Sequence, residues 1–151
     1  MHVVLVAPEI PQNTGSIGRL CVATGARLHL VDPLGFTVDD KHVRRAGLDY
    51  WPHVQLTRHA SWDAFERDRP AGTLRLFTTH AERTYTDVRY EPTDFLVFGG
   101  ESGGLPASIR SAYRPSMHAI PIDSPHVRSL NLATAVAIVL YEARRQLGPI
   151  T

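Results

Sequence analysis

The chain has almost no cysteine, almost no lysine and no long apolar run. Its one cysteine, Cys21, excludes an intrachain disulfide and favours a cytosolic setting, and its place on the apolar face of a predicted helix indicates a core thiol. No charged-then-apolar leader and no run near the roughly 20 apolar residues of a bilayer span occurs, so we expect a cytoplasmic protein. All cations except Lys41 are arginines, and the net charge of +1 excludes a strongly basic, histone-like binder.

Several common site motifs are also missing. The eight histidines show no ligand spacing such as H-x-x-x-H, and together with the lone cysteine this argues against zinc, so we expect no metal. The sequence has no G-x-G-x-x-G fingerprint and no P-loop, so neither dinucleotide nor ATP phosphate binding is indicated. We also expect no serine hydrolase.

Composition and apolar patterning indicate an ordinary α/β protein. The chain has 151 residues, of which 43% are hydrophobic and 21% charged, and this fits one domain over residues 1–151 with a substantial core. Short apolar runs typical of buried strands alternate with helical patterns, so a mostly parallel sheet with helices on both faces is predicted. The predicted strands are residues 2–7, 27–31, 54–57, 74–78, 94–98 and 117–120.

Capping residues set the predicted helix boundaries. Asn13 or Thr14 is predicted to cap the first helix, which Gly25 ends. Ser61 is predicted to cap a later helix, and a short helix is predicted over residues 39–46.

The last helix, residues 131–147, is apolar on nearly all sides between Leu132 and Leu140. A helix of this kind is buried on more than one side. A chain of 151 residues has little material to cover two helix faces, so we favour a subunit interface, and hence a homodimer. The alternative is a central helix packed within one monomer.

Three polar loops each follow a predicted strand and open into a helix: residues 13–19, 99–106 and 128–132. Ligands of open α/β sheets bind at the carboxyl ends of the strands, so we expect these loops to form one composite site. The polar residues of the loops that could carry chemistry are Asn13, Arg19, Glu101, Ser129 and Asn131.

Each candidate also has a structural explanation. The glycines of the second loop could serve a tight turn alone, and Asn13 could be a helix cap alone. Arg19 could be an ordinary surface residue. A cap on the last helix explains one of Ser129 and Asn131, not both, and a carboxylate such as Glu101 on a tight loop could bind a ligand hydroxyl or orient an arginine.

A basic cluster lies between the first two loops, with aromatic residues behind it. Cations that contact phosphates and aromatics that stack on bases are typical of nucleic-acid binding. The alternative is a solvated helix face followed by two core aromatics. The residues are Lys41, His42, Arg44, Arg45, Tyr50 and Trp51.

Nearly the whole chain resembles the SPOUT, or α/β-knot, RNA methyltransferases, in their SpoU-like branch of 2′-O-ribose methylases. Within that branch it is most similar to the small, single-domain enzymes that methylate cytidine or uridine 34 of tRNA. The motifs that carry the resemblance are Pro8-Glu9-Ile10-Pro11-Gln12-Asn13-Thr14-Gly15 with Arg19-Leu20-Cys21, Arg45-Ala46-Gly47-Leu48-Asp49-Tyr50, Phe98-Gly99-x-Glu101-x-x-Gly104-Leu105-Pro106, and Ile120-Pro121-Ile122 with Arg128-Ser129-Leu130-Asn131-Leu132.

The resemblance implies a C-terminal trefoil knot, which base rates alone would argue against. It also implies an obligate homodimer and S-adenosylmethionine bound in the knot, largely by backbone groups. The positions implied for the cofactor are Phe77, Thr78, Thr79, Gly99, Gly100, Glu101, Gly104, Ile120, Ile122, Ser129 and Leu130.

The resemblance further implies transfer of a methyl group to a ribose 2′-hydroxyl of the tRNA anticodon stem-loop. The functional polar residues fall on Asn13, Arg19, Glu101, Ser129 and Asn131, with phosphate contacts expected from Lys41, Arg44, Arg45 and Arg128. Arg19 would be either the base or a cation that binds a phosphate or stabilises the developing alkoxide. The rival hypotheses are a methylase of the superfamily that acts on a base or on another RNA, a non-enzymatic RNA-binding dimer, and a flavodoxin-like nucleotide binder.

Overall fold

Short parallel strands and the helices between them build the fold. The computed structural model describes residues 1–39, 41, 43 and 49–149, so the predicted helix over residues 39–46 lies largely outside the described residues. The strands are β1 His2–Val6, β2 Arg27–Val31, β3 Leu56–His59, β4 Leu74–Phe77, β5 Phe95–Gly99 and β6 Met117–His118. The helices are α1 Pro11–Thr24, α2 Trp62–Asp68, α3 Ala107–Ala112 and α4 Leu132–Leu147, with 3-10 turns at Trp51–His53, Tyr85–Asp87 and Arg114–Ser116.

The strands form one sheet in the order β3-β2-β1-β5-β4-β6, and every pairing in it is parallel. Val6 at the end of β1 is aligned with Val31 of β2 and with Gly99 of β5. The carboxyl ends of these strands therefore meet at one edge of the sheet. The strand order reverses between β1 and β5, and this is where open α/β sheets place their ligands.

Both faces of the sheet are covered, which confirms the predicted layering. One face packs against α1 and α4, and its buried residues include Leu5, Ile17 and Val136. The other face packs against α2 and α3, through Phe65 and Ile109. Every residue of β1 and β5 is buried, as expected for strands at the centre of a parallel sheet.

The structure confirms some predicted helix ends and corrects another. Gly25 ends α1 with a φ of 80°, and Ser61 caps α2 by accepting a hydrogen bond from the backbone N–H of Ala64. Asn13 and Thr14 do not cap α1, because the cap position is Ile10 and Pro11 opens the helix. Pro11 suits a first helical position, where its missing N–H removes no helical hydrogen bond.

The thiol of Cys21 is a core group, as predicted. It is 1% exposed on the α1 side of the sheet, and burial raises its pKa to about 12. Across the described ranges, no helix has the length and apolar character that crossing a membrane requires.

Three histidines form a chain through the α2 side of the sheet. Nδ1 of His2 lies 2.9 Å from Nε2 of His29, and Nδ1 of His29 lies 3.0 Å from Nε2 of His59. The ring of His2 also stacks on Phe95, at 4.1 Å between centroids. Burial lowers the pKa of His2 to about 4 and that of His29 to about 3, and it also lowers the pKa of His59.

We expect this chain to make the protein acid-sensitive. Unfolded histidines titrate near pH 6.5, so below that pH the unfolded state binds more protons than the folded state. The stabilisation is complete above pH 6.5 and is lost as the pH falls towards the folded pKa values. The free energy of unfolding should drop by about 3 kcal/mol between pH 7 and pH 5, before most carboxylates titrate.

Urea unfolding at the two pH values measures this loss. A flat free energy of unfolding between pH 7 and pH 5 would contradict the prediction.

Candidate active site

Glu101 ties the loop after β5 to the loop after β1. Its carboxylate accepts hydrogen bonds from the backbone N–H groups of Glu9 and Ile10, at 2.8 and 2.6 Å. It also accepts from the side-chain amide of Asn13, at 3.2 Å. One carboxylate thus receives three donors from the start of α1, where the helix dipole favours negative charge.

A second link runs in the opposite direction between the same two loops. The backbone N–H and the hydroxyl of Ser102 both donate to the carboxylate of Glu9, at 3.1 and 2.6 Å to Oε1. Both bonds lower the pKa of Glu9 below its usual value, and the bond from the Ser102 hydroxyl has the larger effect. Glu9 and Glu101 therefore clasp the two loops reciprocally, each carboxylate holding the backbone of the other loop.

Asn13 connects this clasp to the third loop. Its carbonyl oxygen accepts a hydrogen bond from the side-chain amide of Asn131, at 3.1 Å. The side-chain oxygen of Asn131 in turn caps α4 by accepting from the backbone N–H of Thr134, at 3.1 Å. Asn13, Glu101 and Asn131 thus form one hydrogen-bonded chain. The structure brings these three residues of the predicted composite site together.

Arg19 and Ser129 lie outside that chain. Arg19 is exposed on α1, and six residues separate it from Asn13, so the two side chains leave the helix about 120° apart. No hydrogen bond or ion pair within the described part of the chain joins Arg19 to Glu101 or Asn13. Instead, the guanidinium carbon lies 5.6 Å from the centroid of the Tyr50 ring. Ser129 is exposed, and it does not cap α4, because Asn131 does.

A cavity of about 390 Å³ opens beside the β4 and β6 ends of the same sheet edge. Its wall combines the residues that follow β4 with those that follow β6. Three of the positions implied for the cofactor line this wall: Thr79, Ile120 and Ile122. Arg128, which the sequence predicts to contact RNA, lines it as well. The glycine loop, residues 99–104, does not contribute to this wall. The full lining is Thr79, Ala81, Glu82, Thr84, Ala119, Ile120, Pro121, Ile122, Val127 and Arg128.

The other implied cofactor positions lie outside the cavity wall, at the ends of β4 and β5 and just before α4. Phe77 is buried at the end of β4, and the backbone N–H of Thr78 donates to the carbonyl of His118 in β6, at 3.0 Å. In the glycine loop, the N–H of Gly104 donates to the carbonyl of Gly100 at 3.0 Å and closes the turn. Leu130 is half-buried just before α4.

Residues 100–104 also fit the Gly-x-Ser-x-Gly pattern of a hydrolase nucleophile elbow. In a serine hydrolase the serine hydroxyl is activated by a histidine. Here the hydroxyl of Ser102 donates to the Glu9 carboxylate instead. Within the described part of the chain, the Ser102 hydroxyl therefore lacks the histidine partner of a serine nucleophile.

Sequence reasoning missed Glu9 and Ser102 as members of the site. The signal available was a second carboxylate in a strand-end loop, directly after Pro8. Of the basic cluster, Lys41 is exposed, whereas Arg44 and Arg45 lie outside the described residues. For the aromatics behind it, Tyr50 and Trp51 are half-buried against α1.

Residues 1–141 match the SpoU rRNA Methylase family, and the chain belongs to this family. The resemblance found in the sequence is therefore confirmed. A tRNA (cytidine(34)-2′-O)-methyltransferase of Polaromonas sp. (strain JS666) is 49% identical over 149 residues, which cover 97% of this chain and 91% of that protein.

Solved structures agree with this membership. One described as giving structural insights into the 2-OH methylation of C/U34 on tRNA has a TM-score of 0.90 and 46% identity, covering 97% of this chain and 95% of that one. The SpoU methyltransferase AviRb of Streptomyces viridochromogenes, in complex with AdoMet, has a TM-score of 0.81 and 29% identity, covering 97% of this chain and 57% of that one.

Proposed function

We propose that the protein is an S-adenosylmethionine-dependent tRNA 2′-O-ribose methyltransferase that acts on nucleotide 34, a cytidine or a modified uridine. The observation that carries the proposal is the hydrogen-bonded chain of Glu101, Asn13 and Asn131, which joins the loop after β5 to the first turn of α1 and to the cap of α4. These residues belong to the motifs of the SpoU methylases. The relatives named for methylation at C34 or C/U34 match this chain over nearly its full length.

The residues around the cavity fit the proposed cofactor. Its volume of about 390 Å³ lies in the range of small-molecule pockets. Half-buried Ile120 and Ile122 offer an apolar surface for an adenine ring, and Glu82 and Thr84 offer oxygen acceptors for hydroxyl groups. The remaining backbone contacts would come from Thr78 and Thr79, from Gly99, Gly100 and Gly104, and from Leu130.

When bound, S-adenosylmethionine supplies an electrophilic methyl group on a sulfonium. The protein's own task is to align the ribose hydroxyl and to accommodate its proton. In this proposal Asn13, Glu101 and Asn131 hold the three loops in register, and Ser129 shapes the side of the pocket with Leu130. A guanidinium keeps its charge at neutral pH, so Arg19 acts as a cation that binds the neighbouring phosphate and stabilises the developing alkoxide.

We also propose that the chain forms the knot of its superfamily. Ala119, just after β6, pairs with Thr84 in an isolated parallel bridge, and its N–H donates to the carbonyl of Arg83 at 2.8 Å. The chain then returns towards the centre of the sheet, where Asn131 contacts Asn13. This return past the segment after β4 supports a trefoil crossing in residues 78–131.

A cytoplasmic homodimer is part of the same proposal. The inner side of α4 is buried, but Ala137 and Ile138 are half-exposed and Tyr141 is 45% exposed on its other side. Apolar surface of this kind supports a subunit interface. Sedimentation equilibrium that gives the mass of one chain would contradict the dimer.

Methyl transfer from labelled S-adenosylmethionine to tRNA unmodified at position 34 tests the reaction. We expect label in an alkali-resistant dinucleotide, because only 2′-O-methylation protects the backbone from alkaline cleavage. Label released by alkali as a mononucleotide would point to a base methylase instead. Absence of transfer to every tRNA preparation, including one with a modified wobble uridine, would support the non-enzymatic dimer and overturn the proposal.

We expect tRNA binding to weaken steeply with salt, because each phosphate contact releases counterions. Lys41→Gln should reduce the slope of the logarithm of the binding constant against log salt by about one, and it should weaken the binding of all tRNAs alike. Arg67→Gln is the control, since Arg67 is exposed on α2 and already pairs with Asp68 at 3.0 Å. A tRNA affinity that does not change between roughly 50 and 200 mM salt would contradict the prediction.

A further inference from the structure

The segment after the basic cluster, residues 50–54, packs against α1 beside Arg19. The hydroxyl of Tyr50 donates to the backbone carbonyl of Gly15, at 3.1 Å. One helical turn later, the Trp51 ring lies where a side chain at Gly18 would be, with its Cζ3 atom 2.7 Å from an ideal Cβ position. Gly18 lets the segment approach the helix closely, and the hydrogen bond to Gly15 adds a second contact with α1.

This packing brings the Tyr50 ring beneath the guanidinium of Arg19. The distance from the guanidinium carbon to the ring centroid, 5.6 Å, lies within the range of a cation–π contact. Arg19 is otherwise exposed, and a free arginine side chain samples many rotamers. The ring, itself anchored through its hydroxyl to α1, selects among those rotamers.

We propose that Tyr50 is the positioning residue for Arg19: its ring holds the guanidinium in one orientation towards the reacting hydroxyl. The inference rests on the role that the proposed function gives to Arg19. It gives a role to Tyr50, the last residue of the motif Arg45-Ala46-Gly47-Leu48-Asp49-Tyr50, which the reaction itself leaves unexplained. It differs from stacking of the Tyr50 ring on an RNA base, in which the ring would act on tRNA binding and not through Arg19.

Two substitutions distinguish the contribution of the Tyr50 ring from that of its hydroxyl. Tyr50→Phe keeps the ring and should retain kcat to within about twofold, whereas Tyr50→Leu removes it and should lower kcat roughly fivefold. The KM for S-adenosylmethionine and the Kd for tRNA of Tyr50→Leu should stay close to those of the parent. A merely structural role would lower the melting temperature without this difference between kcat and KM.

An NMR signature tests the contact directly. The Arg19 Nε–H resonance, assigned with Arg19→Lys, should show the upfield shift of a proton above an aromatic ring, keep it in Tyr50→Phe and lose it in Tyr50→Leu. Absence of that shift in the parent protein would overturn the proposal even if Tyr50→Leu failed to fold. A weaker Kd for tRNA with kcat unchanged would also overturn it, in favour of base stacking.

Arg19→Ala distinguishes this proposal from the proposed function. If Arg19→Ala loses turnover while Tyr50→Leu does not, the positioning role alone is wrong. If Arg19→Ala keeps turnover, the role given to Arg19 in the reaction is wrong.

Discussion

Replacement of Arg19 by alanine should lower methyl transfer by roughly 10²–10³-fold or more, the usual loss when one group that stabilises transition-state charge is removed. Arg19 is exposed on α1 and contacts neither Glu101 nor Asn13 by a hydrogen bond in the described part of the chain. Its removal therefore leaves the loop clasp intact. The Kd for S-adenosylmethionine should change by less than about threefold, because the lost contact acts in the transition state.

The measurement is single-turnover methyl transfer beside equilibrium dialysis of the cofactor. Arg67→Ala removes an exposed arginine from α2 and should leave both quantities unchanged. Loss of cofactor binding in Arg19→Ala would contradict the assignment, because it would place Arg19 in the cofactor pocket.

Arg19→Lys distinguishes the two roles that the resemblance leaves open for this residue. Lysine keeps a positive charge but loses the planar fork that binds phosphate through two hydrogen bonds. If Arg19 acts as a cation, the lysine variant should keep part of the activity that alanine loses. If Arg19 is the base, activity of the lysine variant should rise with pH as the ammonium loses its proton, and a pH profile of turnover separates the two.

The sequence predicted the layers of this fold well because burial leaves a local signal. Five-residue apolar runs mark β1 and β5, and both strands are buried throughout. The prediction is less accurate for β3, which was placed at residues 54–57 and lies at Leu56–His59. Pairing with β2, which aligns Leu28 with Leu56, sets that boundary, and no local pattern encodes it.

The site shows the same division between local and long-range signals. A local pattern predicted that Ser129 or Asn131 caps the last helix, and Asn131 does so. Asn13 has the residue type of a cap but not the role, because its amide contacts residues 88 and 118 positions away in the chain. Glu9 was missed for a related reason, since its partner Ser102 lies 93 positions away.

Among glycine-to-alanine substitutions in the glycine loop, Gly99→Ala should reduce stability and cofactor affinity the most. A Cβ at Gly99 would lie 2.0 Å from the carbonyl carbon of Gly104 and 2.2 Å from the N of Leu105. Both are backbone atoms, which cannot rotate away, so the turn that closes between Gly100 and Gly104 must open. We expect a loss of about 3 kcal/mol in stability and at least a tenfold weaker Kd for S-adenosylmethionine, on the order of a severe overpacking substitution.

Gly103→Ala is the matched control in the same loop. An added Cβ there meets no atom within 4 Å, so stability should change by less than about 0.5 kcal/mol and cofactor affinity should be retained. Thermal unfolding and calorimetric titration of both variants make the comparison. Equal behaviour of the two would mean that the turn does not contribute to cofactor binding. A selective loss in Gly99→Ala would instead tie cofactor binding to the backbone contact between β5 and the residue that ends the turn.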